Sequence, residues 1–214
     1  MYYKNDFLQK LQKKLGKFAI NNLMTYIVVG MAVLFVADVF FGGVLSMFAF
    51  DTDLISQGEF WRVITFILIP PSANFIFIIF VLYFYWFIGS TLEGQWGAFR
   101  FNVFYIVGIL GTIAAGLITG FATSFYLNLS LFLAFALLFP NFQVRLYFII
   151  PVKVKWLAIL SLGFFAFEFV TGDWSVRVAL LVSLGNIALF FGKDFILGLR
   201  NKQRQAQWKR DNRR

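Results

Sequence analysis

The chain contains no cysteine and no histidine. Without cysteine there are no disulfides, no thiol nucleophile and no thiolate metal site. Without histidine the usual general base is gone, so neither a Ser-His-Asp triad nor a Ser-His dyad can be assembled. Charge is scarce too: Asp, Glu, Lys and Arg make up 14% of the 214 residues, against about 25% in a soluble domain. Apolar residues take their place, with 60% of the chain hydrophobic, 21% aromatic and 31 residues Phe. Such a composition belongs to an integral membrane protein. No metal site, no cofactor motif and no conventional catalytic apparatus is expected.

The formal net charge of +9 raises the question of nucleic acid, and its placement answers it. Lys4, Lys10, Lys13, Lys14 and Lys17 precede the first apolar run; Lys193, Arg200, Lys202, Arg204, Lys209, Arg210, Arg213 and Arg214 follow the last. Basic ends on an apolar body follow the positive-inside rule and suit anionic lipid headgroups as partners at both termini. No nucleic-acid-binding module accompanies them, and none is expected to bind.

Six membrane segments are read from the hydropathy: Asn22–Phe41, Asn74–Ile88, Phe101–Phe121, Phe125–Phe139, Trp156–Val170 and Val176–Phe191. The first and third reach the ~20 residues that span a ~30 Å hydrocarbon core. The other four are nearer 15 residues, about 22 Å as helix, which predicts local thinning of the bilayer. With six crossings both termini share one side, and every Lys and Arg except Arg62 and Arg177 falls there. Both termini are therefore expected in the cytoplasm. The first apolar run sits behind the lysines and lacks a small-residue cleavage site, so it reads as an anchor.

Three regions follow. Residues 1–21 form a basic amphipathic segment, with Phe7, Leu8, Leu11, Leu15 and Phe18 on one helical arc and lysines on the other. Residues 22–196 form the membrane domain. Residues 197–214 form a basic tail, polar and without apolar periodicity, with Trp208 as an interface anchor. The connection 43–73 is too apolar for a water-exposed loop and is expected to lie partly in the membrane, with Pro70-Pro71 turning the chain into the second crossing.

Within that connection stands Glu59-Phe60-Trp61-Arg62-Val63-Ile64-Thr65. The five donors of Arg62 suit it to tie loop carbonyls together, which non-helical backbone at membrane depth requires. Gly108, Thr112, Gly116 and Gly120 recur every four residues and predict close helix packing. Glu93 and Arg100 are candidates to pair after the second crossing. Asn128, Ser130, Ser183 and Asn186 are polar residues inside apolar segments, either bonding across helices or lining a cleft where a partner helix docks. Asp38 and Glu168 are carboxylates in or near such segments, a functional hypothesis unless the interface solvates them.

Taken in order, these pieces resemble the rhomboid superfamily from about Phe40 to Phe195. The resemblance rests on Trp61-Arg62 with Thr65, Leu92-Glu93 with Gly97 and Arg100, Phe139-Pro140, and Ile150-Pro151-Val152. It implies an all-α bundle of six transmembrane helices with a membrane-embedded first loop. Active rhomboids carry a Gly-x-Ser-Gly serine on the fourth helix and a histidine on the sixth. Here Ser130 has no flanking glycine, and Asn186 stands about where the histidine would be. Gly185-Asn186 with Phe190-Phe191-Gly192-Lys193-Asp194-Phe195 is similar to the derlin branch, whose members lack the catalytic pair.

The resemblance thus implies a rhomboid pseudoprotease that binds transmembrane segments of client proteins, in quality control, retention or dislocation. The alternatives are an intramembrane serine protease using Ser124 or Ser130 with a non-standard base such as Lys153 or Lys155, and a transporter or channel. A bacterial plasma membrane is the expected location, with the endoplasmic reticulum membrane as the alternative.

Overall fold

The structure, a computed structural model, describes residues 6–71, 75–146 and 150–211. Lys4, Asn74, Arg213 and Arg214, used in the sequence reading, lie outside these. An amphipathic helix α1 (Asp6–Leu15) and a 3₁₀ turn, Gly16–Phe18, lead to α2 (Leu23–Phe41). Leu15 and Phe18 remain exposed, with the Lys17 ammonium over the Phe18 ring, as suits a helix lying on a lipid interface.

Five helices are long and apolar enough to cross a membrane: α2, α6 (Phe75–Trp96), α7 (Ala98–Thr119), α9 (Val154–Thr171) and the first half of α10 (Trp174–Asp211). The chain is an all-α membrane protein in its build, with apolar side chains such as Val33, Leu160 and Leu189 facing outward. In water such a surface would drive association; against lipid it costs nothing.

The helix lengths correct the sequence reading. Three of the four segments expected to be short are not: α6 has 22 residues, α9 has 18 and α10 has 38. Their apolar runs end at polar residues such as Ser90, Lys155 and Lys193, but none of these breaks a helix, so the coil continues through the interface. Gly97, at φ 82, makes the break between α6 and α7. The tail is helical as well, since α10 continues to Asp211. Beyond Gly198 it has neither Gly nor Pro and is rich in Lys, Arg and Gln, which are good helix formers. Local thinning is an argument only for α8 (Ser124–Leu138), which keeps 15 residues.

Helix α8 is also the most enclosed element. Its buried residues run without a gap from Tyr126 to Leu131 and on through Leu133–Ala136, and a helix apolar on every side belongs in a core. α7 and α10 pack along it and along each other. Gly108 makes this approach possible, and Gly116 admits the first loop. A Cβ at Gly108 would come 2.5 Å from Leu127 Cδ1, and one at Gly116 would come 2.8 Å from the Phe50 ring.

The connection 43–68 folds into three short helices, α3 (Val44–Phe48), α4 (Thr52–Ser56) and α5 (Arg62–Thr65), followed by a 3₁₀ turn, Phe66–Leu68. It packs inward through Phe50, Ile55, Phe66 and Ile67, with Phe50 edge-on to Phe66 at 5.8 Å. Leu68 settles against Gly30 of α2, where a Cβ would lie 2.8 Å from Leu68 Cδ2. Phe60, Trp61 and Ile64 remain exposed. One element was not anticipated: strands β1 (Gln143–Leu146) and β2 (Ile150–Lys153) pair antiparallel between α8 and α9. Backbone bonds from Val154 N to Phe142 O (2.8 Å) and from Lys155 N to Pro140 O (3.2 Å) close the base of this hairpin.

Candidate functional site

The Trp61–Thr65 segment fastens helix α3. Arg62, 6% exposed, donates from one terminal nitrogen to Ser46 O (2.6 Å) and Ala49 O (2.9 Å), and from Nε to Glu59 Oε2 (2.5 Å). Trp61 Nε1 donates to Met47 O (3.3 Å) and Thr65 Oγ1 to Phe48 O (3.0 Å). Four consecutive carbonyls, the ones a helix C-terminus leaves unpaired, are thereby satisfied, with a cation where the helix dipole favours one. At the other end of α3, Asp38 Oδ1 accepts from Leu45 N at 3.0 Å. Asp38 is thus a capping carboxylate, and the first loop is held from both ends.

Glu93 does not pair with Arg100. Its Oε1 accepts from Asn22 N at 2.6 Å, where Asn22 adopts a left-handed φ of 56° at the start of α2. Glu168, near the end of α9, keeps one buried carboxylate oxygen without a partner among the described residues.

The four polar residues of the candidate cleft do not form a single cluster. Asn186 on α10 is the hub: its Nδ2 donates to Ser130 Oγ of α8 at 3.3 Å and to Phe104 O of α7 at 3.4 Å. Ser130, with no exposed surface, donates its own hydroxyl hydrogen bond to Leu127 O at 2.7 Å. Asn128, two residues away on α8, faces elsewhere and accepts from Tyr105 OH at 3.3 Å. Ser183 is buried and its hydroxyl has no partner among the described residues.

Tyr105 escaped the sequence reading. Its spacing shows the relationship, because Tyr105 continues the Gly108–Thr112–Gly116 face one turn earlier. Asn102, likewise buried on α7 with its Oδ1 unpaired among the described residues, was also missed.

Asn186 also lines a groove of about 470 Å³ between α7 and α10, together with Val107, Gly111, Val182, Gly185, Ala188 and Leu189. Its Oδ1 is buried and has no partner among the described residues. Gly111, Gly185 and Ala188 are the small residues of its lining, and small residues let another helix approach closely.

Among the described residues neither Ser124 nor Ser130 is hydrogen-bonded to a carboxylate or an amine. Ser124 Oγ donates to Ile69 O at 2.7 Å, at the head of α8. Lys155 is attached at the foot of the same helix through Pro140, about 22 Å from Ser124 along a 15-residue helix. Among the described residues no three His, Cys, Asp or Glu side chains gather in a way that could hold a metal ion.

The chain matches no family model, and no curated protein matches it.

Proposed function

We propose that the protein is a non-catalytic membrane protein of rhomboid-like architecture, with α8 as a sixth crossing and both termini in the cytoplasm, that holds transmembrane segments of client proteins. The observation that carries this reading is Asn186. It stands where the resemblance to rhomboids would put the catalytic histidine, and it is bonded to Ser130, the fourth-helix serine, at 3.3 Å. An amide in that position donates a hydrogen bond and takes no proton, so the pair locks α10 to α8 instead of activating a hydroxyl. The same Asn186 borders an apolar groove between α7 and α10 that includes the small residues Gly111, Gly185 and Ala188. Membrane helices associate through such surfaces by close packing and by occasional polar bonds of about 0.6–2 kcal/mol. Quality control, retention or dislocation of clients would follow from holding them there.

Gly185→Leu tests this reading. A side chain at Gly185 meets nothing within 4 Å, so leucine fills the groove without disturbing the bundle. Membrane proteins co-isolated with the full-length chain should be lost from this variant while its melting temperature is kept. An unchanged set of co-isolated proteins would refute client holding at this groove.

A further inference from the structure

A second groove, of about 440 Å³, lies between α8, α9 and α10. Its walls are regular: Leu133, Ala136 and Leu137 from α8 with Pro140 just past its end, Ala158, Ile159 and Leu162 from α9, and Leu184 and Ile187 from α10. Each set follows helical spacing, so the walls are continuous faces. Among the described residues the only charged one lining it is Lys155, at the end where α9 begins.

We propose that this groove binds one anionic phospholipid, an acyl chain lying along the three helices and the phosphate meeting Lys155. Charge and depth both favour this occupant. Lys155 has no carboxylate partner among the described residues, and its ammonium sits 5.4 Å from the centroid of the exposed Trp156 ring. A tryptophan beside a lysine marks the level of the headgroups. Lys153, exposed two residues earlier, adds a second cation at the same level, and α9 has no acidic residue in its first turn. Below that level every lining residue is apolar.

From Lys155 to Leu162 the groove descends about 10 Å along α9, lined there by Ala158, Ile159 and Leu162. The site is separate from the Asn186 groove and does not depend on client holding.

The test uses the full chain in phosphatidylcholine bilayers doped with a phosphatidylglycerol probe bearing a photoactivatable group partway down one acyl chain. Labels should concentrate on residues 133–140, 158–162 and 184–187. Lys155→Gln should reduce them about fivefold, the effect of one lysine near an anionic headgroup, whereas Lys155→Arg should keep them. A phosphatidylcholine probe with the same chains should label the groove weakly and not respond to Lys155→Gln. Ala158→Phe should displace both probes from the groove while leaving labels elsewhere. Labels spread evenly over lipid-facing positions such as Val29 and Val33, equal labelling by the two headgroups, or a protein segment crosslinked in the groove would each overturn the proposal.

Discussion

Asn186 Nδ2 lies 3.3 Å from Ser130 Oγ, joining two helices at positions 56 residues apart in sequence. The same amide reaches Phe104 O on a third helix, and Gly108 leaves the space for it, since a Cβ there would come 2.9 Å from Nδ2. One side chain thus ties α7, α8 and α10 at their common centre. Its chemistry is that of a fastener, with a donor pointing at each neighbour.

That assignment predicts the outcome of restoring the missing base. Asn186→His should leave the protein without peptidase activity toward generic rhomboid substrates and inert to serine-directed phosphonates. Ser130 is buried and its hydroxyl already donates to Leu127 O, so an imidazole alone would not expose a nucleophile. Phosphonate labelling of the unmodified chain at Ser124 or Ser130, abolished by alanine, would instead show a working hydrolase.

The first loop should prove more fragile at Arg62 than at its neighbours. Arg62→Ala leaves Ser46 O and Ala49 O unpaired, at about 1–3 kcal/mol for each carbonyl left buried without a donor. Trp61→Ala removes one 3.3 Å bond from a half-exposed ring and should cost less, as should Thr65→Val. Thermal unfolding in detergent ranks the three, and equal melting of Arg62→Ala and the parent would refute the fastening.

If α8 crosses as the proposed sixth span, both termini lie on one side of the membrane. Reporters fused at Met1 and Arg214 should both read cytoplasmic, and one inserted at the α7–α8 turn, near Gly120, should read outside. If α8 does not cross, the two termini will report from opposite sides.

Much of this was legible in the chain because membrane helices announce themselves by hydropathy. The α8 boundaries lie within one residue of the sequence reading, since Thr123 caps one end and Pro140 closes the other. Ends of α6, α9 and α10 were not legible: hydropathy marks where the bilayer stops, and helices pass that point. The pairing of Gln143–Leu146 with Ile150–Lys153 was hidden because Gln143, Arg145 and Lys153 interrupt the apolar residues, so the segment read as a plain connection. Arg62 was recognisable as a multiple donor, but its acceptors depend on how residues 46–49 coil. Glu93 was set against Arg100 by nearness in sequence, whereas the free N–H of Asn22, 71 residues away, offers it a helix end to cap. Asn128 and Ser130, adjacent in the sequence argument, part company because neighbours two apart on a helix point to different sides.

The central claim is that a client transmembrane segment lies in the groove beside Asn186. A photocrosslinking amino acid placed at Leu189, which lines that groove and is 71% exposed, reads this directly in native membranes. Val170, 73% exposed on α9, serves as a lipid-facing control. The account predicts crosslinked peptides from transmembrane segments of other proteins at Leu189, few at Val170, and their loss in Gly185→Leu. Crosslinks to lipid alone at Leu189, or the same protein crosslinks from both positions, would contradict it.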